Sequence, residues 1–309
     1  MALSFDYCES IYWVFTHLCN DSCAHCYNLS SPRGGKLDWE ECGQIIQNLP
    51  DRVGRIILSG GEPLVEKEKL VFIVKELQKK YKGKSQVMLQ TNGDLLSGPV
   101  LDELIESGIS RFDIASMDSY HKLKGSRLEE IASLFEERNI PCDTDGLVIQ
   151  EENLPTTFSL SWGYWGATDD LWLGGNWARG RALESGVWKK DPNHNFCAIK
   201  SGAIGFLNGA PGIAQEISIQ LWKIHPCCPG TKFPLGDARK EKVEDVLDRV
   251  KDHAVFQSLD QGNPFSMGET VGVKKAYAEK RCGELKSVCL WCDEFFEHHF
   301  DVNTLTPRK

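Results

Sequence analysis

The chain has 309 residues, 41% of them apolar and 26% charged, which excludes a peptide-sized module and wholesale disorder. Its formal net charge of −9 argues against broad binding to a phosphate backbone, so nucleic acid is not an expected partner. No apolar stretch approaches a membrane span, and the N-terminal ten residues carry no basic region followed by an apolar one, so a cytoplasmic chain with no membrane partner is expected.

In chain order, the aromatic and β-branched run Ile11–Thr16 reads as a strand leading straight into Cys19. Asp38 starts a helix with Ile45, Ile46 and Leu49 on one face. Arg55–Ser59 is a short apolar strand ending at Gly60 and Gly61, and Lys69–Tyr81 carries Leu70, Ile73, Val74 and Leu77 at helical spacing. A strand at Gln86–Gln90, a helix at Val100–Glu106, a strand at Phe112–Ala115 and a helix at Leu128–Arg138 continue the alternation. Cys142–Ile149 reads as a fifth strand, and Asp170–Leu173 as a weaker sixth with no clean helix before it. Strands alternating with helices predict parallel βα units, in a barrel or an open sheet, with chemistry at the C-terminal ends of the strands. After about residue 190 the chain turns rich in Gly and Pro, with a strand at Ile217–Trp222, a helix at Glu241–Val250 and a cysteine- and aromatic-rich tail; a domain boundary is placed near 185–196.

Twelve cysteines are too few for a disulfide scaffold of this length, and clustered thiols in a reducing compartment hold metal or do redox chemistry. Cys19, Cys23 and Cys26 form a CxxxCxxC loop directly after the first strand. Three thiolates there can hold three corners of a cubane iron–sulfur cluster and leave one iron open. The alternative is a zinc site with His25 as fourth ligand, strained because His25 adjoins Cys26. The segment Ser59–Gly60–Gly61–Glu62–Pro63–Leu64 ends the second strand at the same end of the sheet, and its glycines allow close backbone approach to a ligand.

These two motifs, in order and each after its strand, resemble the signatures of radical S-adenosylmethionine (SAM) enzymes. Thr91–Asn92–Gly93 and Ser116–Met117–Asp118 resemble that family's third and fourth strand ends, and the likeness spans roughly residues 10–180. His25 is a departure, since the family usually carries an aromatic Tyr, Phe or Trp there. The resemblance implies a partial (β/α)6 TIM-like barrel over 1–190 and an α/β fold class. It further implies a [4Fe–4S] cluster on Cys19, Cys23 and Cys26 whose open iron chelates SAM. His25, Tyr27, Gly60, Gly61, Glu62, Asn92 and Ser116 would be SAM-binding. A 5′-deoxyadenosyl radical would then abstract hydrogen from the substrate, with a low-potential donor such as flavodoxin or ferredoxin supplying the electron.

Cys197, Cys227, Cys228, Cys282, Cys289 and Cys292 lie in the last third. They resemble the twitch or SPASM extension of the same family, implying a small C-terminal iron–sulfur domain over 191–309. Six cysteines favour the shorter, twitch-like form with one auxiliary [4Fe–4S] cluster on Cys197, Cys227, Cys289 and Cys292. A zinc ribbon is the alternative for the set. Cys228 is either a hydrogen-atom donor, as in some epimerases of the family, or a small buried hydrophobe; Cys282 can replace a chosen ligand. Arg181, in a Gly180–Arg181–Ala182 segment that resembles the family's link to the extension, either binds a substrate or SAM carboxylate or pairs with Glu184 at the surface. Trp162, Trp165, Trp172, Trp177 and Trp188 pack the open side of the barrel or grip substrate. The expected activity is oxidation of a small molecule such as an aminosugar or aminocyclitol, favoured by the lack of a leader-binding segment before the first strand. The alternatives are modification of a ribosomal peptide (epimerisation, oxidation or thioether crosslinking) and a zinc-binding adaptor.

Overall fold

A computed structural model describes residues 7–115, 125–143, 158–166 and 177–308. Strand β1 (Tyr7–Thr16) is followed by helix α1 (Trp39–Asn48), β2 (Arg52–Gly60), α2 (Lys67–Tyr81), β3 (Gln86–Thr91), α3 (Gly98–Ser107), β4 (Arg111–Ile114), α4 (Gly125–Glu136) and β5 (Ser161–Tyr164). Each expected helix of this half forms where its apolar spacing put it. Asp38 caps α1 in a capping box: its Oδ1 accepts from Glu41 N at 2.8 Å, and Glu41 Oε2 accepts from Asp38 N at 3.0 Å.

β1 through β5 pair in parallel in the order β5-β4-β3-β2-β1. A later strand, β6 (Glu216–Gln220), joins the free edge of β1 and is also parallel to it. β7 (Lys223–His225) and β8 (Gly236–Asp237) then add antiparallel. The result is an α/β partial barrel, a mostly parallel sheet that curves without closing.

Alternation along β1 sorts the core. Ile11, Trp13 and Phe15 point outward into a large apolar cluster beneath the helices. Tyr12 and Val14 point inward, meeting Ile57, Met88, Trp177, Phe196 and Cys228.

Two expectations about strands change. The partner of β4 is Ser161–Tyr164, a stretch without an apolar run that becomes a strand through its neighbour. Of the expected fifth strand only Cys142 and Asp143 are described, and they lie beside β5, with Cys142 bridged in parallel to Trp162. The remainder, the expected sixth strand at Asp170–Leu173, Trp172 and Ser116 lie outside the described residues.

Beyond β5 come the short helix α5 (Gly180–Glu184), then α6 (Val243–Val250), α7 (Ala254–Asp260), α8 (Lys275–Leu285), α9 (Val288–His298) and a small hairpin of β9 (Phe300–Asp301) and β10 (Thr306–Pro307). Phe256, Phe295, Phe296 and Phe300 pack as one aromatic group under α9. No helix among the described residues is long and apolar enough to cross a membrane.

Candidate active site

The loop after β1 and the turn after β2 are built against each other. Gly61 N donates to Thr16 O and Glu62 N to Leu18 O, both at 2.8 Å, so the glycine turn continues the sheet onto the cysteine loop. A Cβ at Gly61 would collide with the Leu18 carbonyl and with Ser30, and one at Gly60 with Thr16. The glycines therefore serve close approach of two backbones first, which is a second reason for the motif besides approach to a ligand.

Glu62 is fully buried, and its carboxylate accepts from Leu64 N at 2.9 Å, Thr91 Oγ1 at 2.7 Å and Asn92 N at 2.8 Å. Burial pushes its pKa up to about 7 against those donors. The side chain thereby joins the ends of β2 and β3. Asn92 in turn donates from Nδ2 to Asn20 Oδ1 at 2.9 Å, reaching the cysteine loop.

These strand ends surround a cavity of about 310 Å³. Cys19, Cys23, His25, Cys26, Tyr27, Gly60, Gly61 and Asn92 line it, so most of the residues singled out in the sequence converge there. The three thiols are spread around the loop. Cys26 Sγ contacts Asn28 Oδ1 at 3.0 Å and accepts from Ser30 N at 3.2 Å, while Cys23 Sγ contacts Asp21 Oδ2 at 3.5 Å. Burial pushes the Cys19 and Cys23 thiols up to about 12, so ligation there must displace a proton. Among the described residues no three His, Cys, Asp or Glu side chains converge as the ligands of a single ion do. Three thiols distributed over a cavity rim, beside a backbone cradle, fit a multi-iron cluster, whose ligands bind different irons.

Arg181 belongs to the loop rather than to the cavity. Its Nε donates to Cys23 O at 2.8 Å and its Nη2 to Ser30 O. Gly180, at φ +48°, lies so close to Tyr27 and Cys26 that a Cβ would collide with their carbonyls, and Ala182 N donates to Cys26 O. The expected pairing of Arg181 with Glu184 gives way to these loop contacts.

Deeper in the barrel lies a polar layer that the motifs did not announce. Tyr12 OH lies within hydrogen-bond distance of Ser59 Oγ (2.9 Å) and Gln90 Oε1 (2.8 Å), its single proton serving one of them, and it contacts Tyr27 OH at 3.3 Å. Cys228 packs in the same inner cluster and lines the cavity with both tyrosines. Burial holds Tyr12 and Tyr27 well above the ordinary phenol range. Below them, Arg111 bonds Asp113 (3.0 Å) and Asp143 (2.9 Å), and Arg55 faces Glu216 at 3.9 Å. The available signal was a polar residue inside an apolar strand: Tyr12, Ser59 and Gln90 occupy inward positions of β1, β2 and β3.

The tryptophans divide. Trp162 is buried and stacks on Phe135 at 4.7 Å, a packing role, whereas Trp165 and Trp177 line the cavity, Trp177 edge-on to Tyr27 at 4.9 Å.

The C-terminal thiols form a second buried group. Burial raises the pKa of Cys197, Cys227, Cys289 and Cys292 alike, with Cys289 and Cys227 further opposing ionisation of Cys197, Cys289 that of Cys227, and Cys197 and Cys227 that of Cys292. Cys289 and Cys292 are one turn apart on α9. Cys282 Sγ is directed at Pro192 O at 3.5 Å. Consecutive residues face opposite ways: Cys227 joins the outer core with Cys197 and Cys292, and Cys228 faces the cavity. Four buried thiols with no disulfide between them have the donor chemistry for a cluster.

Residues 13–137 match the Radical SAM superfamily, and this part of the chain is a radical SAM domain. The chain is 32% identical over 109 residues to the AdoMet-dependent heme synthase of Methanosarcina barkeri (strain Fusaro / DSM 804), a match covering 34% of this chain and 30% of that protein. The fold is similar to that of BtrN in complex with AdoMet and 2-DOIA, with a TM-score of 0.51 and 18% identity over 82% of this chain and 88% of that one. The structure of anSMEcpe with bound AdoMet and Cp18Cys peptide aligns over 93% of this chain and 96% of that one, at a TM-score of 0.47 and 15% identity.

Proposed function

We propose that the chain is a radical SAM oxidoreductase that removes a hydrogen atom from a small polar molecule of aminosugar or aminocyclitol type. The observation that carries this reading is the position of Cys19, Cys23 and Cys26 on the rim of a cavity at the C-terminal ends of parallel strands. Cys19, Cys23 and Cys26 would hold a [4Fe–4S] cluster, which together with SAM would supply radical hydrogen-abstraction chemistry.

The chain's own residues do the rest. Gly60 and Gly61 would line the polar end of SAM, with Asn92 and Ser116 as further candidates, and His25 and Tyr27 would present ring faces to adenine. Glu62 holds the strand ends that carry these groups. Tyr12, Ser59 and Gln90 orient hydroxyls, and Asp113 and Glu216 receive ammonium groups deeper in the barrel. Trp165 and Trp177 keep water from the reacting carbon. In the alternative, redox-neutral epimerisation, the Cys228 thiol at the cavity wall would return a hydrogen atom to the substrate radical, and its thiyl radical would take up one electron and one proton from the donor to restore the thiol.

In this reading residues 191–309 form a twitch-like unit in which Cys197, Cys227, Cys289 and Cys292 hold an auxiliary [4Fe–4S] cluster, and a flavodoxin or ferredoxin is the electron donor. The test begins with anaerobic protein, which should hold about eight irons per chain. A Cys19, Cys23 and Cys26 triple alanine variant should keep about four and make no deoxyadenosine. Deuterated aminosugars and aminocyclitols should pass label into deoxyadenosine. Label arriving from peptides alone would replace the small-molecule reading with peptide modification, and a colourless zinc protein would end both.

A further inference from the structure

The segment 178–185 lies between the two thiol sets and contacts both. Arg181 faces the first loop, through Cys23 and Ser30, whereas Arg179 faces the second set. The Arg179 side chain is 12% exposed, and its position is fixed on every side. Nη1 pairs with Asp293 Oδ2 at 2.7 Å and donates to Ala178 O at 3.2 Å. Nη2 donates to Cys289 O at 3.2 Å, and Nε to Gly230 O at 3.3 Å. Gly230 closes the turn that begins at Cys227, through Gly230 N to Cys227 O at 3.0 Å. Asp293 directly follows Cys292 on α9. The guanidinium is thus held by the chain segments that carry Cys227, Cys289 and Cys292.

We infer that Arg179 sets the reduction potential of the second cysteine site, its fixed positive charge favouring the reduced form of a cluster held by Cys197, Cys227, Cys289 and Cys292. The inference rests on the auxiliary-cluster reading above. One electron enters the cluster, supplied by a low-potential one-electron reductant, and no bond at the cysteines forms or breaks. The reduced cluster is more negative by one charge, and a buried cation beside it stabilises that state the more strongly the lower the local dielectric. An arginine cannot shed its charge, so the bias is constant across pH. Asp293 opposes it, and the pair together fixes the net field.

The test is an anaerobic redox titration followed by paramagnetic resonance, in the full chain carrying the Cys19, Cys23 and Cys26 alanine replacements so that the second cluster alone reports. Arg179→Gln should lower the reduced-to-oxidised ratio at a given applied potential at least tenfold, about 59 mV for one electron. Asp293→Asn should shift the ratio the opposite way, and Arg179→Lys should titrate with the parent because the charge is kept. A merely structural role would change iron content and would not give opposite signs. Arg179→Gln and Asp293→Asn proteins that hold their iron yet titrate with the parent, or shift the same way, overturn the inference alone. If Arg179→Gln loses its iron, the upward shift of Asp293→Asn decides, and its absence overturns the inference. A parent with no iron overturns the auxiliary-cluster reading, and this inference with it.

Discussion

Removing the Arg181 guanidinium takes two charge-assisted hydrogen bonds from the first cysteine loop, those to the Cys23 and Ser30 carbonyls. Bonds of this kind are together worth about 3 kcal/mol, and here they hold a loop with no regular structure of its own. Arg181→Ala should therefore release iron from the first site while the second keeps its own, with deoxyadenosine formation falling in step with first-site iron. Arg181→Lys keeps a charge but not the fork and should fall between. Full iron with a raised KM for SAM would instead place Arg181 on the ligand. The residue type and its neighbours Gly180 and Ala182 were legible in the sequence; its target was not. A contact with a loop far upstream depends on how α5 docks, and only Gly180, whose missing side chain admits the Tyr27 carbonyl, hinted at a close approach.

At the scale of elements, α1 shows what local pattern can specify. Asp38 and Glu41 exchange hydrogen bonds at its start, and Cys42, Ile45 and Ile46 bury one face. Asp38→Ala should lower stability by about 1 kcal/mol, read by urea denaturation, with iron content unchanged because α1 packs on the outer side of the sheet. The same periodic logic makes α2, α3 and α4 legible, and alternation along β1 separates Trp13 from Tyr12. It fails at β5, where Ser161–Tyr164 has no apolar run and owes its conformation to β4. It also fails for the neighbour of β6: Ile217 and Ile219 mark a strand, but nothing local says that it pairs with β1. The thiol loops were legible because ligand spacing is local. The Tyr12, Ser59 and Gln90 layer was not, because it exists only once three strands stand side by side.

Across the whole molecule the barrel's upper edge is tied together by one buried carboxylate, and that makes stability depend on pH. Glu62 has a folded pKa of about 7 against an ordinary value of 4.5, the cause being burial only partly offset by Leu64 N, Asn92 N and Thr91 Oγ1. Between those two values the folded chain binds more protons than the unfolded one. The contribution of this group is thus complete below pH 4.5 and is lost as pH rises through 7, the reverse of a salt-bridged carboxylate. Raising pH from 5.5 to 8 should cost about 2 kcal/mol at this position. Glu62→Gln cannot ionise and keeps one of the two acceptor oxygens, the loss of the other being a pH-independent offset, so its stability relative to the parent should improve by that amount over the same range. Every other titrating group is common to both proteins and cancels in the difference. Anaerobic urea denaturation of the two proteins at pH 5.5 and 8 measures it. Parallel pH curves would mean that Glu62 ionises freely in the fold, and that its three hydrogen-bond donors, rather than its burial, dominate its energetics.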